Sequence, residues 1–455
     1  MKTNTLTLIA AACLTLAATA YGEPAAAEKR SPAETTGKTA SRVRVKITLD
    51  EFKQMALRDN PSLARAKARV DQAVAGVMQA RAAYYPTLSV GAAMQRNRDR
   101  SNRTNRYTSR MNYDASLDAT WVLFDGFQRK FALLTAKYAR ENAEESERDA
   151  RRLLMQSISS AFYAALNYQD NMLIAKEDAA YNGVLLEDAR KRHENGVAKQ
   201  SEVLNFILQV KNAEVNYVTA EQNWRNGMVA LAALAAIDLT AIPASIWDYY
   251  ELVPPTDFDE EIPPFDELLA RAKENRPDLK AAEAKIINMR QGIEAAWNSL
   301  YPSVSLFADY GFNRDSSYRF TSSNDRVISG GLRLNWTLFN GFKTPAQIRQ
   351  ARAALNEAVK ERSAILLDIE STLRQNIQAL ETSRKQYEYQ NEILKTAREI
   401  RDLVHEEYLG GTTTITRLNE SQTAVTKAAS ERSLAYVLVL NNLETIKSTT
   451  ARNIQ

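Results

Sequence analysis

The chain has 455 residues, of which 59 are basic and 55 acidic, and this balance argues against a nucleic-acid-binding protein. Its one cysteine, Cys13, and its two histidines, His193 and His405, are too few for a zinc site within one chain, and both histidines are expected to be exposed helix-end residues. Without a phosphate-binding glycine loop or a G-x-S-x-G phrase, the sequence predicts neither an enzyme nor a bound cofactor.

The N-terminus has the pattern of a secretory signal peptide. A positive charge at Lys2 precedes an apolar stretch, and residues 18–20 give an A-x-A cleavage signal, so residues 1–20 are predicted to be removed on export. Acylation of Cys13, which follows three alanines, is the alternative. Residues 21–46, rich in Ala, Pro, Lys and Thr, are predicted to be a disordered lead-in.

One seven-residue phrase occurs twice in the chain. WVLFDGF occupies residues 121–127, and WTLFNGF occupies residues 336–342, 215 positions later. A repeat of that size indicates a duplicated unit rather than a chance motif. We therefore predict a first structural repeat at 47–236, a linker at 237–263 and a second structural repeat at 264–455.

Each repeat is predicted to be mainly helical. Apolar residues spaced three and four positions apart indicate seam helices at 61–84 and 277–300. A much longer helix follows in each repeat, and nearly seventy residues would reach ~100 Å. A glycine then reverses the chain into a returning helix. The predicted long helices are 127–194 and 345–409, the turns are 195–198 and 410–413, and the returning helices are 199–236 and 414–450.

Four strands are predicted from strict alternation of apolar and polar residues. In 113–121 the odd positions are apolar and the even positions polar, and 304–312 and 328–338 alternate similarly. About ten alternating residues that end in an aromatic side chain are typical of a membrane β-barrel; a soluble hairpin with one wet face is the alternative. The predicted β-hairpins are 87–123 and 303–339, with polar loops at 97–112 and 313–326.

The number of strands predicts an oligomer. A membrane barrel must close completely, and the smallest closed barrels have about eight strands, whereas one chain offers four. Two copies would supply eight strands and three would supply twelve. The strand count does not choose between them.

The repeated phrase lies where each strand is predicted to leave the membrane and become a long helix. Its aromatic side chains suit the bilayer interface, and its Asp-Gly or Asn-Gly pair allows a change of direction. A buried aromatic cluster at a soluble strand–helix corner is the alternative. The predicted interface residues are Trp121, Phe124, Gly126, Phe127, Trp336, Phe339, Gly341 and Phe342.

The twofold repeat, a Tyr-Pro pair before each hairpin, the LFDGF and LFNGF corners and the glycine turns together resemble the TolC family of outer-membrane efflux proteins. The resemblance covers nearly all of the mature chain. It implies a mainly α protein with a membrane β-barrel, in which a homotrimer forms a 12-stranded β-barrel in outer-membrane lipid. A 12-helix α-barrel would continue this barrel as a tunnel in the periplasm, with the linker at 237–263 in an equatorial layer.

The resemblance also implies partners and a function. The expected partners are a periplasmic adaptor (membrane fusion protein) and an inner-membrane ABC or other transporter, for which this chain would be the passive channel. The LFDGF form is closer to family members that serve type I protein secretion, and the Asp-Leu-Phe-Gly-Arg phrase of drug-pump partners is absent. Multidrug or small-molecule efflux is the alternative. A trimeric coiled-coil structural or adhesive protein and a soluble periplasmic adaptor are more remote alternatives.

The candidate site residues lie near the two glycine turns. The turns themselves are expected to contact the adaptor, and the residues just beyond them to form the pore constriction. By the resemblance, Arg417 occupies the position of the family's first ring aspartate and Glu420 that of the second, so the sequence departs from the family's acidic constriction. Exposed surface charges are the alternative. The predicted adaptor contacts are Asn195, Gly196, Val197, Gly410, Gly411 and Thr412, and the predicted constriction residues are Glu202, Tyr408, Arg417 and Glu420.

Overall fold

The computed structural model describes residues 45–100, 107–238, 250–255, 260–315 and 325–452. The predicted signal peptide, Cys13 and most of the predicted lead-in lie outside these residues. Within the described chain, no helix is both long enough and apolar enough to cross a membrane.

The two halves of the chain contain helices of equal length. Each half has a helix of 11 residues, one of 22, one of 67 and one of 35. The 67-residue helices are about 100 Å long at the normal rise per residue. In chain order the helices are α1 (Leu49–Asp59), α2 (Pro61–Ala82), α3 (Gln128–Glu194), α4 (Gln200–Leu234), α5 (Phe265–Asn275), α6 (Pro277–Asn298), α7 (Lys343–Leu409) and α8 (Ile415–Thr449).

The described strands form two sheets. A four-stranded antiparallel sheet has the order β2-β3-β5-β6, and its outer strands, β2 and β6, have no further partner among the described residues. A two-stranded parallel sheet joins β1 to β4. In chain order the strands are β1 (Val45–Ile47), β2 (Thr87–Arg100), β3 (Tyr107–Phe124), β4 (Tyr250–Leu252), β5 (Ser303–Asp315) and β6 (Arg326–Asn335).

The strands are longer at the hairpin end than the sequence predicts. We expected loops at 97–112 and 313–326, but β2 continues to Arg100, β3 begins at Tyr107 and β5 continues to Asp315. Charged side chains are compatible with this because the ladder uses only backbone groups and the side chains remain at the surface. The residues described as strand in these segments correct the loop prediction.

The last strand is shorter at its other end than predicted. Alternation suggested a strand through residue 338, but β6 ends at Asn335, which pairs with Ser303. The residue before Ser303 is Pro302, which has no N–H to donate to a further rung of the ladder. Trp336 therefore lies just beyond the strand.

The short parallel sheet corrects two predicted irregular segments. Val45 and Lys46, at the end of the predicted lead-in, pair with Tyr250 and Glu251 in the predicted linker. The buried side chain of Gln169 on α3 fastens this sheet, because its amide donates to the Leu252 carbonyl at 3.1 Å and its carbonyl accepts from the Leu252 N–H at 2.9 Å. Residues 239–249 and 256–259 of the linker lie outside the described chain.

The two faces of the four-stranded sheet differ in polarity. Direct cross-strand pairs place Val90 of β2, Leu117 of β3, Tyr310 of β5 and Ile328 of β6 in one row on the same face. The adjacent row on the other face contains two serines and two aspartates, namely Ser89, Asp118, Asp309 and Ser329.

The main apolar core lies midway along the long helices. Phe52 of α1 packs edge-to-face on Phe162 of α3, with ring centroids 6.1 Å apart, and Trp224 of α4 belongs to the same cluster. Asn60 connects this region to the end of α4, because its side chain donates to the Leu234 carbonyl at 2.8 Å while accepting from the Ser62 N–H. The α1–α2 junction is therefore fixed against the return helix.

A buried ionic cluster lies beside this core. Arg276, at the start of α6, makes two hydrogen bonds to the Asp278 carboxylate, at 3.0 and 2.6 Å. Burial opposes ionisation of Asp278, but the hydrogen bond and charge of Arg276 and the charge of Arg152 outweigh it and lower the pKa of Asp278. Arg152 and Arg276 also donate to backbone carbonyls near the end of α8, at Ser448 and Thr449. The cluster thus joins both halves of the chain.

Candidate functional site: the helix tips and the strand–helix corners

Both glycine turns have the same hydrogen-bonding geometry. In the first, Gly196 has a φ of 75°, its N–H donates to the His193 carbonyl, and the Val197 N–H donates to the Arg192 carbonyl, each at 2.9 Å. This is a Schellman motif, which requires a left-handed residue after the helix. Asn195, before the glycine, and Val197, after it, are exposed.

The second turn repeats this motif. Gly411 also has a φ of 75°, its N–H donates to the Tyr408 carbonyl, and the Thr412 N–H donates to the Glu407 carbonyl. Thr412 adds a side-chain hydrogen bond to the same Glu407 carbonyl at 3.0 Å. Gly410 precedes the left-handed glycine, and it is exposed together with Gly411 and Thr412.

The structure brings two of the four predicted constriction residues together. The Tyr408 hydroxyl donates to the Glu202 carboxylate at 3.3 Å, and the Arg192 guanidinium donates to the Tyr408 carbonyl and lies 4.9 Å from the centre of its ring. The ring also packs edge-to-face on Phe206 and is 7% exposed. Tyr408 therefore joins the tip of the second repeat to both helices of the first repeat's tip.

The surroundings of Tyr408 keep its hydroxyl protonated. Burial raises the pKa of Tyr408 above its usual value of 10.0, and the charge of Glu202 raises it as well, while the charge of Arg192 acts in the opposite direction. A protonated phenol is a hydrogen-bond donor and a carboxylate is an acceptor. The Tyr408–Glu202 hydrogen bond is therefore present at neutral pH.

Arg417 and Glu420 are not part of this cluster. Both side chains are exposed on the first turns of α8, and their charged groups lie 3.6 Å apart. The Arg417 N–H is part of the helix start, where the Thr414 side chain accepts it. Within one chain, these two residues are thus a surface ion pair.

A second contact between the two tips could not be read from the sequence. The Tyr181 hydroxyl on α3 lies 3.3 Å from Nδ1 of His405 on α7, and the Arg401 guanidinium lies 5.1 Å from the Tyr181 ring centre. His405 is half-buried, which corrects its prediction as an exposed helix-end residue. Its contact with a helix more than 200 positions away explains the difference.

A polar cluster further from the tips was also missed. Asp178 on α3 accepts hydrogen bonds from Gln422 at 2.7 Å and from Thr426 at 3.1 Å, both on α8. The spacing of Gln422 and Thr426 places them on one helix face, but only the fold identifies their acceptor.

Each strand–helix corner is held by a tryptophan. The Trp121 indole donates to the Tyr84 carbonyl, and the Trp336 indole donates to the Leu300 carbonyl, both at 3.1 Å. The two acceptors occupy equivalent positions after the seam helices α2 and α6. Each tryptophan therefore links the end of its hairpin to the preceding helix.

The corners reverse the chain with two consecutive left-handed residues. Gly126 and Phe127 have φ values of 65° and 63°, and Gly341 and Phe342 have values of 66° and 65°. Each phenylalanine packs edge-to-face on the phenylalanine three positions earlier, at 5.4 Å for Phe124 and 5.5 Å for the corresponding Phe339–Phe342 pair. This contact accompanies a backbone conformation that is unusual for a bulky residue.

A polar side chain completes the first corner. Asp125 accepts from both the backbone N–H and the guanidinium of Arg129, at 2.9 and 3.0 Å. The guanidinium also donates to the carbonyls of Val122 and Leu123, beside the β-bulge that ends the β3–β5 ladder. Arg129 was not predicted, although its position four residues after Asp125 is a usable sequence signal.

Most of the corner aromatic rings are exposed rather than buried. Trp121, Phe127, Trp336, Phe339 and Phe342 are between 43% and 73% exposed. A buried aromatic cluster does not describe this arrangement.

Among the described residues, no group of three or more His, Cys, Asp or Glu side chains could hold a metal ion.

One family model matches the chain twice, once in each repeat. The model described as "Outer membrane efflux protein" matches residues 53–236 and again residues 268–452. The chain belongs to the outer membrane efflux protein family. This confirms the resemblance to the TolC family, and it establishes an outer-membrane channel protein with a role in transport rather than an enzyme.

Two relatives of this chain are outer-membrane proteins, and the name of one includes the substrate that it exports. The chain is 22% identical to the pyoverdine export outer membrane protein OpmQ of Pseudomonas putida over 84% of this chain and 81% of that protein. It is 24% identical to the outer membrane protein TolC of Vibrio cholerae over 72% of this chain and 73% of that protein.

Solved structures share the fold of this chain. The outer membrane protein VceC of Vibrio cholerae matches with a TM-score of 0.73 at 18% identity, over 88% of this chain and 95% of that one. The outer membrane channel CmeC of Campylobacter jejuni matches with a TM-score of 0.75 at 18% identity, over 88% and 85% respectively.

Proposed function

We propose that three copies of this chain form an outer-membrane channel-tunnel through which an inner-membrane transporter and a periplasmic adaptor export proteins by type I secretion. The observation that carries the proposal is an incomplete wall: within the described part of the chain, the four-stranded sheet ends in two unpaired edges, at β2 and β6. Unpaired edges are not tolerated in lipid, so the sheet requires further copies to close. Three copies would give a 12-stranded β-barrel and a 12-helix α-barrel.

The internal repeat supplies the register between copies. Leu117 of β3 pairs with Tyr310 of β5 within the chain. Moving one repeat along the wall replaces β3 by β6 and β5 by β2 of the next copy. The equivalent pair is then Leu332 with Met94 of the next copy, on the apolar face of both strands.

The helices support the same closure. Within the chain, α3 of the first repeat packs against α8 of the second. The equivalent contact between copies joins α7 to α4. Both helices carry exposed apolar side chains with the same 4-7-3 spacing, namely Tyr389, Ile393, Ile400 and Leu403 on α7 and Leu204, Leu208, Val215 and Val218 on α4. Such stripes are typical of packed helix pairs.

The register and the number of copies can be tested together by disulfide formation. Cys13 is the only native cysteine, so M94C/L332C introduces the only pair in the barrel. Oxidation should give covalent dimers and trimers and no larger species. Q95C/L332C is the matched control, because Gln95 faces the other side of the sheet. Products that stop at dimers, or equal cross-linking of the control, would contradict the proposed trimer or its register.

The tips are proposed to contact the adaptor and to form the constriction. Asn195, Gly196, Val197, Gly410, Gly411 and Thr412 are exposed at the ends of two hairpins of equal length. Three copies of Arg417 around a narrow pore would repel one another. The nearby Glu420 carboxylate supports neutralisation of that charge.

Protein secretion and small-molecule export are distinguishable functions of such a channel. The LFDGF corner supports secretion, whereas the relationship to a pyoverdine export protein favours the second candidate, small-molecule efflux. Channel activity should appear when the detergent-extracted protein is added to a planar bilayer. In the native host, deletion should remove a large protein from the medium without changing drug susceptibility; the opposite pattern would support efflux, and no conductance would refute the channel.

A further inference from the structure

On the apolar face of the sheet, the side chains change from apolar residues to arginines near the hairpin ends. On β2, the even positions from Leu88 to Met94 are apolar, and the next two side chains on that face are Arg96 and Arg98. On β6, the apolar series from Leu334 to Ile328 is followed on the same face by Arg326. The change occurs on strands at both edges of the sheet.

The distance between Trp336 and Arg326 matches the height of the apolar band of a membrane barrel. Trp336 and Arg326 are ten positions apart, which corresponds to about 33 Å along a strand. At the usual barrel tilt of roughly 40°, this spans about 25 Å across the membrane, the height of the apolar band of such barrels. With the corner tryptophans at the helical end, the arginines fall at the opposite bilayer surface.

These arginines are not neutralised by any residue that the structure describes. Arg96 donates to the Ser109 hydroxyl at 2.9 Å, and Arg98 lies 4.7 Å from the centre of the Tyr107 ring. Ser109 and Tyr107 are both on β3. None of Arg96, Arg98 and Arg326 forms an ion pair with a described residue. Arg314 on β5 has the same position relative to the apolar band, but Asp325 pairs with it at 3.3 Å.

Closure of the barrel would bring these charges together. This step rests on the proposed function. The repeat-derived register places Ile328 opposite Arg98 of the next copy, because Tyr113 pairs with Arg314 within the chain. Arg326, two residues before Ile328 on β6, then lies diagonally opposite that Arg98, on the same face of the sheet. Like charges at that spacing are unfavourable without an anion between them.

We propose that Arg96, Arg98 and Arg326 of the adjacent copy form a patch that binds the phosphate groups of lipid headgroups in the leaflet at the hairpin end of the barrel. A guanidinium presents a planar set of N–H donors that binds phosphate oxygens in pairs. The patch lies on the lipid-facing side, directly above the apolar band, so a headgroup attached to acyl chains in that band fits both surfaces. Each copy would contribute to two such patches.

The test compares two double variants of the assembled, detergent-solubilised protein. R96Q/R98Q removes two patch charges, and R110Q/R333Q removes two arginines from the polar face of the same sheet. Native mass spectrometry would measure binding of a bisphosphorylated glucosamine-based lipid, the same lipid after phosphatase treatment, and inorganic phosphate as a competitor. R326Q would be measured separately, because it changes the other copy's contribution.

The expected result is selective loss of phosphorylated lipid. Each arginine near an anionic headgroup contributes roughly fivefold in affinity, so R96Q/R98Q should bind about 25-fold more weakly and R326Q about fivefold more weakly. R110Q/R333Q should match the unmodified protein, and the phosphatase-treated lipid should bind all variants alike. Equal binding by R96Q/R98Q, or an equal loss in the control, would overturn the inference.

Two further outcomes separate this inference from the proposed function. Displacement of the lipid by inorganic phosphate at the lipid's own concentration would indicate a site for free anions and overturn the lipid assignment. A trimer that conducts ions yet binds lipid without regard to phosphorylation would overturn the patch alone. Failure of M94C/L332C to cross-link as a trimer would overturn the proposed function.

Discussion

Tyr408 and Glu202, 206 positions apart in the sequence, are joined by a hydrogen bond of 3.3 Å between the tips of the two repeats. Tyr408 lies in the last turn of the long helix of the second repeat, and Glu202 lies in the first turn of the return helix of the first. Opening the tips would separate these two elements. The bond therefore stabilises the packing of the two tips against each other, which is the closed arrangement in the proposed channel.

Replacement of Tyr408 by phenylalanine should favour the open channel. The ring would still pack on Phe206, but the donor to Glu202 would be lost, at a cost of about 1 kcal/mol per copy. This corresponds to roughly a fivefold rise in the open-to-closed ratio per copy, measured as single-channel open probability. Tyr168→Phe on α3 is the control. An unchanged open probability in Tyr408→Phe would show that the bond does not hold the tips closed.

The same bond predicts a dependence on alkaline pH. Because the folded-state pKa of Tyr408 is raised above 10.0, the stabilisation is complete below pH 10 and is lost as the pH rises through the raised value. Conductance should therefore increase at the alkaline end of a titration from pH 7 to 11. Tyr408→Phe, which already lacks the phenol, should not show this increase; a parallel increase in that variant would assign the titration to another group.

Asp278→Asn should destabilise the fold at neutral pH. The change leaves the buried Arg276 guanidinium without its charged partner, which costs about 3 kcal/mol. Since the pKa of Asp278 is lowered, this stabilisation is present above the usual value of 3.8 and is lost as pH falls through the folded-state value.

Denaturant unfolding at several pH values would measure this effect. Unmodified protein and Asp278→Asn should differ at pH 7 and converge in acid below the folded-state pKa. Asp266→Asn, which alters an exposed carboxylate on the preceding helix, should change the free energy of unfolding by less than about 1 kcal/mol. A constant difference between the two proteins at every pH would rule out the ionised Arg276–Asp278 pair as its cause.

Alanine at the turn glycines should loosen the tips. Gly196 and Gly411 both have a φ of 75°, and no atom lies within 4 Å of an added Cβ, so the penalty is one of backbone conformation alone, about 1–2 kcal/mol. Gly183→Ala is a matched control, because it lies within α3 with equal space and should stabilise the helix by about 1 kcal/mol. Amide hydrogen exchange should accelerate at 190–200 in Gly196→Ala only; faster exchange in the control would contradict this account.

The two corner glycines should respond differently to substitution. A Cβ at Gly126 would lie 2.6 Å from the Asn298 carbonyl, so Gly126→Ala should prevent correct folding of the chain. A Cβ at Gly341 would have no atom of a described residue within 4 Å. In the proposed trimer, the equivalent position would be filled by Ala82 and Tyr85 of the next copy.

Gly341→Ala should consequently allow the subunit to fold but impair assembly. Both glycines have positive φ, so the backbone strain is shared and the difference reports the added contact. Light scattering of the detergent-extracted protein would measure the oligomer, and circular dichroism the helix content. A Gly341→Ala protein that assembles as well as the unmodified one would place the next copy elsewhere.

The helices were predictable because their ends are encoded locally. Gly196 and Gly411 mark the turns, and Pro61 and Pro277 mark helix starts, so the predicted ends fall within two residues of the observed ones. The start of α7 is the informative case: Pro345 suggested the first residue, but the helix begins at Lys343 and accommodates proline in its first turn.

The strand limits were less predictable because backbone pairing decides them. Arg96 and Arg98 occupy strand positions despite their charge, since Met111 and Ser109 opposite them complete the ladder. The contact of Tyr181 with His405 was also beyond sequence reasoning. It depends on which faces of α3 and α7 meet, and helical periodicity identifies a face but not its partner.

The two unpaired edges described for β2 and β6 have a consequence for the newly exported subunit. An exposed edge offers backbone donors and acceptors to any other chain, and it is a recognised starting point for aggregation. A subunit held in water before insertion would thus have two edge strands that can pair with other chains. The subunit must therefore insert quickly or be bound by another protein while it is in water. Overproduction beyond the capacity for insertion should yield β-rich aggregates rather than dispersed monomers.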